Sequence, residues 1–341
     1  MSTKTDDKGS DFTLHISSAP HIRSGDTVQS IMVSVMIALL PATFVGIYLF
    51  GAGALNTLIT AIISSLLFEY FFLKVTGKSE TIYDGSALLS GLLLGLNLPP
   101  SFPWWGTVVG SFFAIIVVKQ LFGGLGFNIF NPVIAARVFL LISWPVQMSL
   151  YPKPERILLG VDAVTKATPL TAIKTTLMAN DPAATINQIT DINLWGLFLG
   201  NRAGSIGEVS IAALLIGAIY LFYKRTITLS TPLSFILSAA VFSFLFHLIN
   251  PQQAAEPVFH ILNGGLILGA FFMATDYVTS PVTSKGMVIF GVGCGFLTIL
   301  IRQYGGYPEG VSFAILIMNM FVPLIDRYLK PVKFGAGGPY G

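Results

Sequence analysis

The feature that most constrains this chain is a series of apolar runs, most of them near the ~20 residues a helix needs to cross a hydrocarbon core about 30 Å thick. They lie at residues 28–50, 53–73, 85–98, 103–122, 131–150, 207–223, 230–249, 257–274, 286–301 and 308–329. Because unpaired backbone groups are costly in lipid, such runs are predicted to be helices. The chain is therefore predicted to be an all-α polytopic membrane protein with about ten transmembrane helices.

Composition favours the same class. Charged residues make up 10% of the 341 residues, whereas soluble proteins have about 25%. The first apolar run has no small-residue cleavage site after it and is expected to remain as the first helix. Cys294 is the single cysteine and the four histidines show no ligand spacing, so neither a disulfide nor a metal site is predicted. The net charge of +3 requires no nucleic-acid partner.

The basic residues predict an orientation in the cell membrane. With the N-terminus inside, most of the 19 Lys and Arg residues fall on the cytoplasmic side, Lys119 among them, while Arg202 and Arg302 belong to a smaller outer set. Five segments follow from this prediction: a cytoplasmic N-terminal segment 1–27, a first five-helix repeat 28–150, an outward-facing loop 151–206, a second five-helix repeat 207–330 and a cytoplasmic tail 331–341.

Two blocks of the first half recur in the second half. The segment Ser90–Gly95 corresponds to Gly264–Gly269, and Lys119–Gly124 corresponds to Ile301–Gly306 when their glycine pairs are aligned. Five spans per half is an odd number, so the halves are predicted to form inverted repeats, with the short Gly-rich third and eighth helices possible sites of a break. The alternative is that Gly-rich membrane helices resemble one another by chance.

The seven residues Asp162–Thr168 resemble sites of covalent flavinylation, whose pattern is Asp-x-x-Ser/Thr-Gly-Ala-Thr. At such sites the last hydroxyl is joined to the phosphate of FMN, which makes Thr168 the expected attachment residue. Asp162, Thr165 and Ala167 complete the motif, and Lys166 departs from it by replacing the usual glycine. The alternative is a polar loop that matches by accident. The predicted outer loop contains the motif, which favours the functional interpretation.

Asn128 and Asn131 lie in a Gly-rich stretch just before an apolar run. Their amides have the hydrogen-bonding capacity to hold the edge of a second, non-covalent flavin. The competing interpretation is a helix cap, because Asn followed by Pro132 is a common helix start.

Ionisable residues in membrane spans are expensive and are functional candidates by default. Asp84 and Asp276 fall in corresponding regions of the two halves and are the leading candidates for a cation path, with Glu69 as a weaker one. Both aspartates also have positions compatible with the water boundary. Arg137 is expected to pair with a carboxylate or with helix-end carbonyls, and it has either a structural role or one beside a flavin.

Four blocks occur together in this chain: Ser18–His21, Phe122–Pro132, the flavinylation motif and Ala274–Pro281. In this order they resemble the RnfD proteins of the Rnf complexes, which are similar in turn to the flavin-carrying membrane proteins of the sodium-pumping NADH:quinone reductases. The resemblance implies a bacterial or archaeal membrane complex that moves electrons between ferredoxin and NAD and translocates Na⁺ or H⁺. It further implies covalent FMN at Thr168, a non-covalent riboflavin, the other Rnf subunits (A, B, C, E and G) as partners, and a flavin transferase.

Two interpretations from other classes stay open at this point. A solute or ion transporter, or a channel, would have inverted repeats and interrupted helices without any flavin. A scaffold subunit with a vestigial motif would bind partners without a cofactor. No catalytic residue for ferredoxin or NADH is visible in the sequence, so those sites are expected on other subunits.

Overall fold

The computed structural model describes residues 27–77, 82–152, 154, 165–166, 168, 170–171, 175, 194–200, 202–249 and 256–330. This part of the chain is mostly helical. In chain order the helices are α1 Val28–Phe50, α2 Ala52–Thr76, α3 Ser86–Asn97, α4 Trp104–Phe112, α5 Pro132–Ser143, α6 Pro145–Ser149, α7 Leu194–Leu199, α8 Ile211–Tyr223, α9 Ser230–Ile249, α10 Pro257–Leu262, α11 Leu266–Leu268, α12 Ser284–Tyr304 and α13 Val311–Tyr328.

Several shorter elements complete the architecture. α4 continues as a π-helical segment at Phe113–Gln120, and α11 continues as one at Gly269–Met273. A 3-10 turn at Ile82–Asp84 precedes α3. The strands β1 Tyr151–Pro152 and β2 Thr165–Lys166 form one antiparallel pair.

Five helices, α1, α2, α9, α12 and α13, are long and apolar enough to cross a membrane. The other predicted spans contain shorter helices. The run at 131–150 divides at Trp144, because Pro145 has no N–H to continue the ladder and starts the new helix α6. The run at 257–274 is interrupted between α10 and α11, as its glycines suggested. The prediction of a polytopic helical membrane protein therefore agrees with the structure at the level of class.

The interruption between α10 and α11 needs glycine. Gly264 and Gly265 both have positive φ, at 67° and 65°, which other L-residues adopt rarely. A Cβ on Gly264 would lie 2.6 Å from the guanidinium of Arg302, and one on Gly265 would overlap the side chain of Glu208. Charged side chains thus approach the open backbone at the break.

Glycines also allow the closest helix contacts. A Cβ on Gly91 of α3 would lie 2.8 Å from the carbonyl oxygen of Ala61 in α2. Gly291 and Gly295 of α12 face α9 in the same way: a Cβ on Gly295 would lie 2.6 Å from the Phe235 carbonyl oxygen and closer still to Ser238 Oγ. Small residues four apart let membrane helices approach through their backbones.

α1 connects the two ends of the molecule. Near its C-terminal end, Gly46 faces Ile206 and Leu49 contacts the position of Gly200, so the segment before α8 packs there. At the middle of α1, the Ala38 carbonyl approaches Gly217 of α8. Positions along α1 therefore serve as reference points for both ends of the molecule.

Two basic residues counted as loop charges lie inside helical segments instead. Lys119 is 2% exposed within the π-helical extension of α4, and Arg302 is 5% exposed in the last turn of α12. Both side chains have protein partners, so neither is a free loop charge that sets orientation. Lys119 is removed from the cytoplasmic set of basic residues and Arg302 from the outer set. The cytoplasmic set stays the larger one, so the predicted orientation with the N-terminus inside does not change.

The α9–α12 contact yields a stability prediction. We expect Gly295→Ala to lower the thermal unfolding midpoint of the detergent-purified chain, because the added methyl pushes apart two backbones in contact. Overpacking of this kind costs about 1–3 kcal/mol. Gly306→Ala is the matched control, since a Cβ there would meet nothing within 4 Å. Equal midpoints for the two variants would contradict the close approach of α9 and α12.

Candidate cofactor sites

A cavity lined by described residues lies at the N-terminal end of α1, and we call it the asparagine cavity. Its apolar walls come from α1, α3 and the π-helical end of α11, and its free volume is about 90 Å³. Its polar lining includes Ser86, Lys119, Asn128, Asn131, Thr275 and Asp276. The turn that contributes Asn128 has positive φ at Gly123, Gly124 and Gly126, which brings the chain back to the start of α5.

Asn131 caps a helix and also lines this cavity. Its Oδ1 accepts hydrogen bonds from the N–H groups of Val133, at 3.0 Å, and Ile134, at 3.3 Å. Its Nδ2 donates to the Met273 carbonyl oxygen at 3.4 Å. The capping interpretation is therefore correct for the side-chain oxygen. It does not conflict with a ligand beside Asn131.

Asn128 has an unused acceptor. Its Nδ2 donates to the Phe130 carbonyl oxygen at 3.0 Å, while its buried Oδ1 has no hydrogen-bond partner among the described residues. A buried acceptor left unsatisfied costs about 1–3 kcal/mol. A donor on a molecule bound in the cavity would remove this cost.

The two candidate aspartates have different surroundings. Asp276 is half-buried, lines the asparagine cavity and accepts a hydrogen bond from Thr279 Oγ1 at 2.9 Å. Its burial raises the pKa of the carboxyl group above its usual range. Asp84 does not line the cavity; it accepts from the N–H of Ser86 at 2.7 Å and from its hydroxyl at 2.5 Å. Asp84 thus holds the start of α3, and Ser86 is its link to the cavity.

Glu69 is part of a buried ion pair with Lys119. The Lys119 Nζ lies 2.7 Å from Glu69 Oε1 and donates to Ser86 Oγ at 2.6 Å. Gln120 Nε2 donates to the same Glu69 oxygen at 2.8 Å. Lys119, which the sequence predicted to be in a cytoplasmic loop, is the cation that borders the cavity. It joins Glu69 and Ser86 to one polar network.

The second site surrounds Thr168 and lies at the other end of α1. Thr168 is 9% exposed, and its Oγ1 is 2.7 Å from Thr171 Oγ1 and accepts from the Thr171 N–H at 3.1 Å. It lines a small cleft with Arg202, Gly204, Glu208, Asn263, Gly264 and Glu309 among others, which we call the Thr168 cleft. Its free volume is about 10 Å³.

The β1–β2 pair fixes the motif beside this cleft. Tyr151 of β1 pairs with Lys166 of β2, and the Tyr151 hydroxyl donates to Glu309 Oε1 at 3.0 Å. Of the predicted motif, Asp162 and Ala167 lie outside the described residues, and only the backbone of Thr165 is described. The described part of the motif therefore consists of the strand Thr165–Lys166 and the residue Thr168.

A buried group of charges lies against the cleft, and we call it the arginine cluster: Arg137, Arg202, Glu208, Arg302 and Glu309. Arg137 forms ion pairs with Glu208, at 2.8 Å, and with Glu309. It also donates to Asn97 Oδ1 at 2.6 Å. The carboxylate partner expected for Arg137 is present. Arg137 does not line the asparagine cavity, so its predicted role beside a flavin would apply only at the Thr168 end.

The other two arginines of the cluster hold the broken helix. Arg302 donates to the carbonyl oxygens of His260, at 2.5 Å, and Asn263, at 2.8 Å. Arg202 donates to the carbonyl oxygens of Leu262 and Glu208 and to Asn263 Oδ1. Guanidinium groups are favourable at a helix C-terminus because its last carbonyls lack intrahelical partners. The break after α10 is thus satisfied by side chains.

Burial shifts the titration of the loop members of this cluster. It raises the pKa of Glu309 above its usual range, although Arg137 opposes the shift. It lowers the pKa of Arg202 to about 10, with Glu208 and Glu309 opposing. Burial in the cluster therefore disfavours the charged form of both Glu309 and Arg202.

The structure brings some of the predicted site residues together at the asparagine cavity and places others away from it. Asn128, Asn131 and Asp276 share the asparagine cavity, with Glu69 and Asp84 reached through Lys119 and Ser86. Five site residues were not predicted as such from the sequence: Lys119, Arg202, Glu208, Arg302 and Glu309. Their common signal is a charge next to a Gly-containing interruption or at the end of an apolar run.

The two sites are far apart along α1. Met32 lines the asparagine cavity, and Leu49 contacts the segment that contains Arg202. At 1.5 Å per helical residue, these positions are separated by about 25 Å along the axis. The two linings approach each other on α5, where Asn131 borders the asparagine cavity and Arg137, about 9 Å further along the helix, pairs with Glu208 and Glu309 of the Thr168 cleft.

The Glu69–Lys119 pair yields a second prediction. We expect Glu69→Gln and Lys119→Met each to lower the thermal unfolding midpoint strongly, because each leaves one buried charge without its partner, at about 3–5 kcal/mol. The double variant removes both charges and should lose less stability than the sum of the single changes. Additive losses, measured by thermal unfolding in detergent, would contradict a direct pair.

Comparison with known proteins identifies relatives over nearly the whole chain. Residues 15–335 match the model of the NQR2, RnfD, RnfE family. The chain is 47% identical over 320 residues to the D subunit of the proton-translocating ferredoxin:NAD(+) oxidoreductase complex of Clostridium ljungdahlii, and the match covers 94% of this chain and 96% of that protein.

Other relatives are similar over comparable lengths. The D subunit of the Na(+)-translocating ferredoxin:NAD(+) oxidoreductase complex of Acetobacterium woodii is 46% identical over 325 residues, covering 95% of this chain and 96% of that protein. The D subunit of the ion-translocating oxidoreductase complex of Escherichia coli is 38% identical over 354 aligned positions, covering 95% and 99%. This chain belongs to the NQR2, RnfD, RnfE family.

Proposed function

We propose that this chain is the membrane electron-carrier subunit of an ion-translocating ferredoxin:NAD⁺ oxidoreductase complex. FMN would be attached covalently at Thr168, and a non-covalent riboflavin would occupy the asparagine cavity. The observation that carries the proposal is the pair of polar sites at opposite ends of α1, one at the predicted attachment residue and one at the predicted asparagines. The names of the relatives support the same complex.

The Thr168 site suits a phosphate ester. The Thr168 hydroxyl lines the same cleft as Arg202, contacts the Thr171 hydroxyl and accepts a hydrogen bond from the Thr171 backbone N–H. With a flavin dinucleotide as the donor, the Thr168 oxygen would form the new O–P bond while the donor's pyrophosphate P–O bond breaks, and AMP and the hydroxyl proton would leave. The product is a phosphodiester with one negative charge in the cleft that Arg202 also lines. The cleft has no room for a tricyclic ring, so the ring of the attached group would lie outside it.

The asparagine cavity suits the ring of a flavin by its chemistry. A flavin has apolar faces and a polar edge, and the cavity combines Leu89, Leu93 and Phe271 with the free Asn128 Oδ1 and the Lys119 ammonium. The present free volume of about 90 Å³ is less than a whole flavin needs. Outward movement of exposed side chains such as Tyr277 at its edge would therefore accompany binding.

The separation of the sites defines the role of this chain. A flavin accepts electrons singly or in pairs, and the protein sets its potential through hydrogen bonds and nearby charges. About 30 Å of hydrocarbon is too far for one fast electron transfer, so the second flavin would form part of a relay across the membrane and partner subunits would supply further carriers. In this proposal the partners are the other Rnf subunits (A, B, C, E and G), and a flavin transferase supplies the FMN.

The finer architecture belongs to the same proposal. The chain would form ten spans as two inverted five-helix repeats, 28–150 and 207–330, with both termini cytoplasmic and the loop 151–206 on the outer face. The blocks Lys119–Gly124 and Ile301–Gly306 each end a helix, which supports the repeat, whereas Ser90–Gly95 lies inside α3 and Gly264–Gly269 spans the break before α11. The predicted spans with shorter helices would contain non-helical backbone at membrane depth, which is tolerated where protein rather than lipid surrounds it.

A cation path would pass near the asparagine cavity. Asp276 at its lining and the Asp84–Ser86–Lys119–Glu69 network offer carboxylate and hydroxyl oxygens, which suit Na⁺ and also relay protons. Two relatives of nearly equal identity are named for different ions, proton and Na(+). The proposed path therefore carries a monovalent cation, Na⁺ or H⁺.

The covalent attachment has a direct test. We expect the chain co-produced with a flavin transferase to show a fluorescent band on a denaturing gel under ultraviolet light, and Thr168→Ala to show none, because the variant lacks the nucleophilic oxygen. Thr171→Ala removes a neighbouring hydroxyl and should retain the band. A dark wild-type band from properly inserted protein would favour a transporter or a scaffold instead.

The non-covalent flavin has a separate test. We expect Asn128→Leu to lose most of the flavin released by acid from the purified chain, since it removes the free acceptor and narrows the cavity. Thr168→Ala should release as much as the wild type, because the covalent site is elsewhere. Chromatography with fluorescence detection measures the released flavin. Unchanged release from Asn128→Leu would remove the asparagine cavity as the binding site.

A further inference from the structure

The lining of the asparagine cavity contains two charged side chains, Lys119 and Asp276. Asp276 accepts a hydrogen bond from the Thr279 hydroxyl, so its carboxylate belongs to the turn that follows the π-helical end of α11. Lys119 belongs to the π-helical end of α4 and is 2% exposed. Within the described lining of this cavity, Lys119 is therefore the one cationic hydrogen-bond donor.

The Lys119 ammonium has one more donor than its two partners use. Its Nζ lies 2.7 Å from Glu69 Oε1 and 2.6 Å from Ser86 Oγ, and an ammonium has three N–H groups. Glu69 does not line the cavity, so it lies behind Lys119 as seen from the cavity. Ser86 donates its own proton to Asp84, at 2.5 Å, and accepts from Lys119. Among the described residues, the third N–H of Lys119 is thus left for a molecule in the cavity.

The free oxygen of Asn128 complements this donor. Asn128 Oδ1 is buried and has no hydrogen-bond partner among the described residues. The polar edge of a flavin ring carries an N–H group between two carbonyl groups, so one edge can donate to Asn128 and accept from Lys119. The cavity therefore offers both kinds of hydrogen-bonding group that such an edge needs.

The charge of the Lys119 donor makes its contact sensitive to the redox state of the ring. Reduction of a flavin by two electrons and one proton leaves one negative charge on the ring, most of it at the polar edge. Hydrogen bonds that involve an ionised group are roughly twice as strong as neutral ones. A Lys119 N–H therefore stabilises the reduced ring more than the oxidised ring, which raises the midpoint potential. The Asp276 carboxylate in the same lining acts in the opposite direction.

We propose that Lys119 sets the potential of the flavin in the asparagine cavity: its third N–H donates to the polar edge of the ring, beside the acceptor that Asn128 provides. This inference rests on the proposed occupation of that cavity by riboflavin. It gives the buried Glu69–Lys119 pair a role beyond stability, because Glu69 holds the ammonium in place behind the ring. A lysine that only stabilised the fold would leave the potential unchanged.

The midpoint potential of the non-covalent flavin tests the proposal. Thr168→Ala is the background for every chain, because it removes the covalent site and leaves only the flavin of the cavity. We expect Glu69→Gln combined with Lys119→Met, which removes the donor together with its counter-charge, to lower the midpoint potential. Asp276→Asn removes a negative charge from the lining and should raise it. Redox titration of the purified chain, followed by flavin absorbance, measures both.

Gly295→Ala is the control for a loss of stability, since it disturbs the contact of α9 with α12 and does not change the cavity lining. Its midpoint potential should equal that of the background. An unchanged potential in the Glu69→Gln, Lys119→Met chain, or an equal fall in Gly295→Ala, overturns the role of Lys119 alone. A folded Thr168→Ala chain that holds no flavin overturns the occupation of the cavity and this inference with it.

A second measurement covers a double variant that loses its flavin during purification. Riboflavin is added back, and equilibrium dialysis gives its dissociation constant in the oxidised state and in the state kept reduced by dithionite. We expect the reduced-state affinity to fall about tenfold more than the oxidised-state affinity, as for one hydrogen bond to a charged group. Equal falls in the two states overturn the proposal. So does complete loss of binding in both states, because a donor that acts mainly on the reduced ring would leave the oxidised ring bound.

Discussion

Pairing of buried charge is the constraint on which the rest of this structure depends. An ionised side chain inside a membrane bundle has little water to solvate it, so each one needs protein partners. Glu69 and Lys119 satisfy one another near one end of α1, and Arg137 holds Glu208 and Glu309 near the other. These ion pairs join segments that are far apart in the chain. Arg202 and Arg302 fix the open backbone of the interrupted helix α10–α11.

Much of the fold could be predicted from the sequence because apolar length is a local property. The first run, 28–50, coincides with α1, and the second and ninth differ from α2 and α12 by a few residues at each end. The break at Trp144 was missed because a proline after a tryptophan is as compatible with a kinked helix as with a new one. Hydropathy also does not distinguish a helix that spans from a short helix enclosed by protein.

The candidate sites were predictable in part. Asn128 and Asn131 were recognised from their local context, and the structure shows that Asn131 is a cap and also borders a cavity. Lys119 was misassigned because a lysine near the end of an apolar run has the same local pattern whether it enters a loop or turns inward to a carboxylate 50 residues away. Arg202 and Glu309 come from segments more than 100 residues apart, and no local pattern relates them. Such contacts depend on tertiary packing.

The π-helical segment Phe113–Gln120 determines how that inward lysine is aimed. A π-helical insertion adds one residue to a helical turn, so the side chains beyond it are rotated by about 100° from where an unbroken α-helix would place them. Here the rotation directs both Lys119 and Gln120 to the same oxygen of Glu69. A homologue lacking one residue in this segment would keep an apolar helix of ordinary appearance yet present its lysine to a different face. The length of this helix, counted to the single residue, is therefore part of the site.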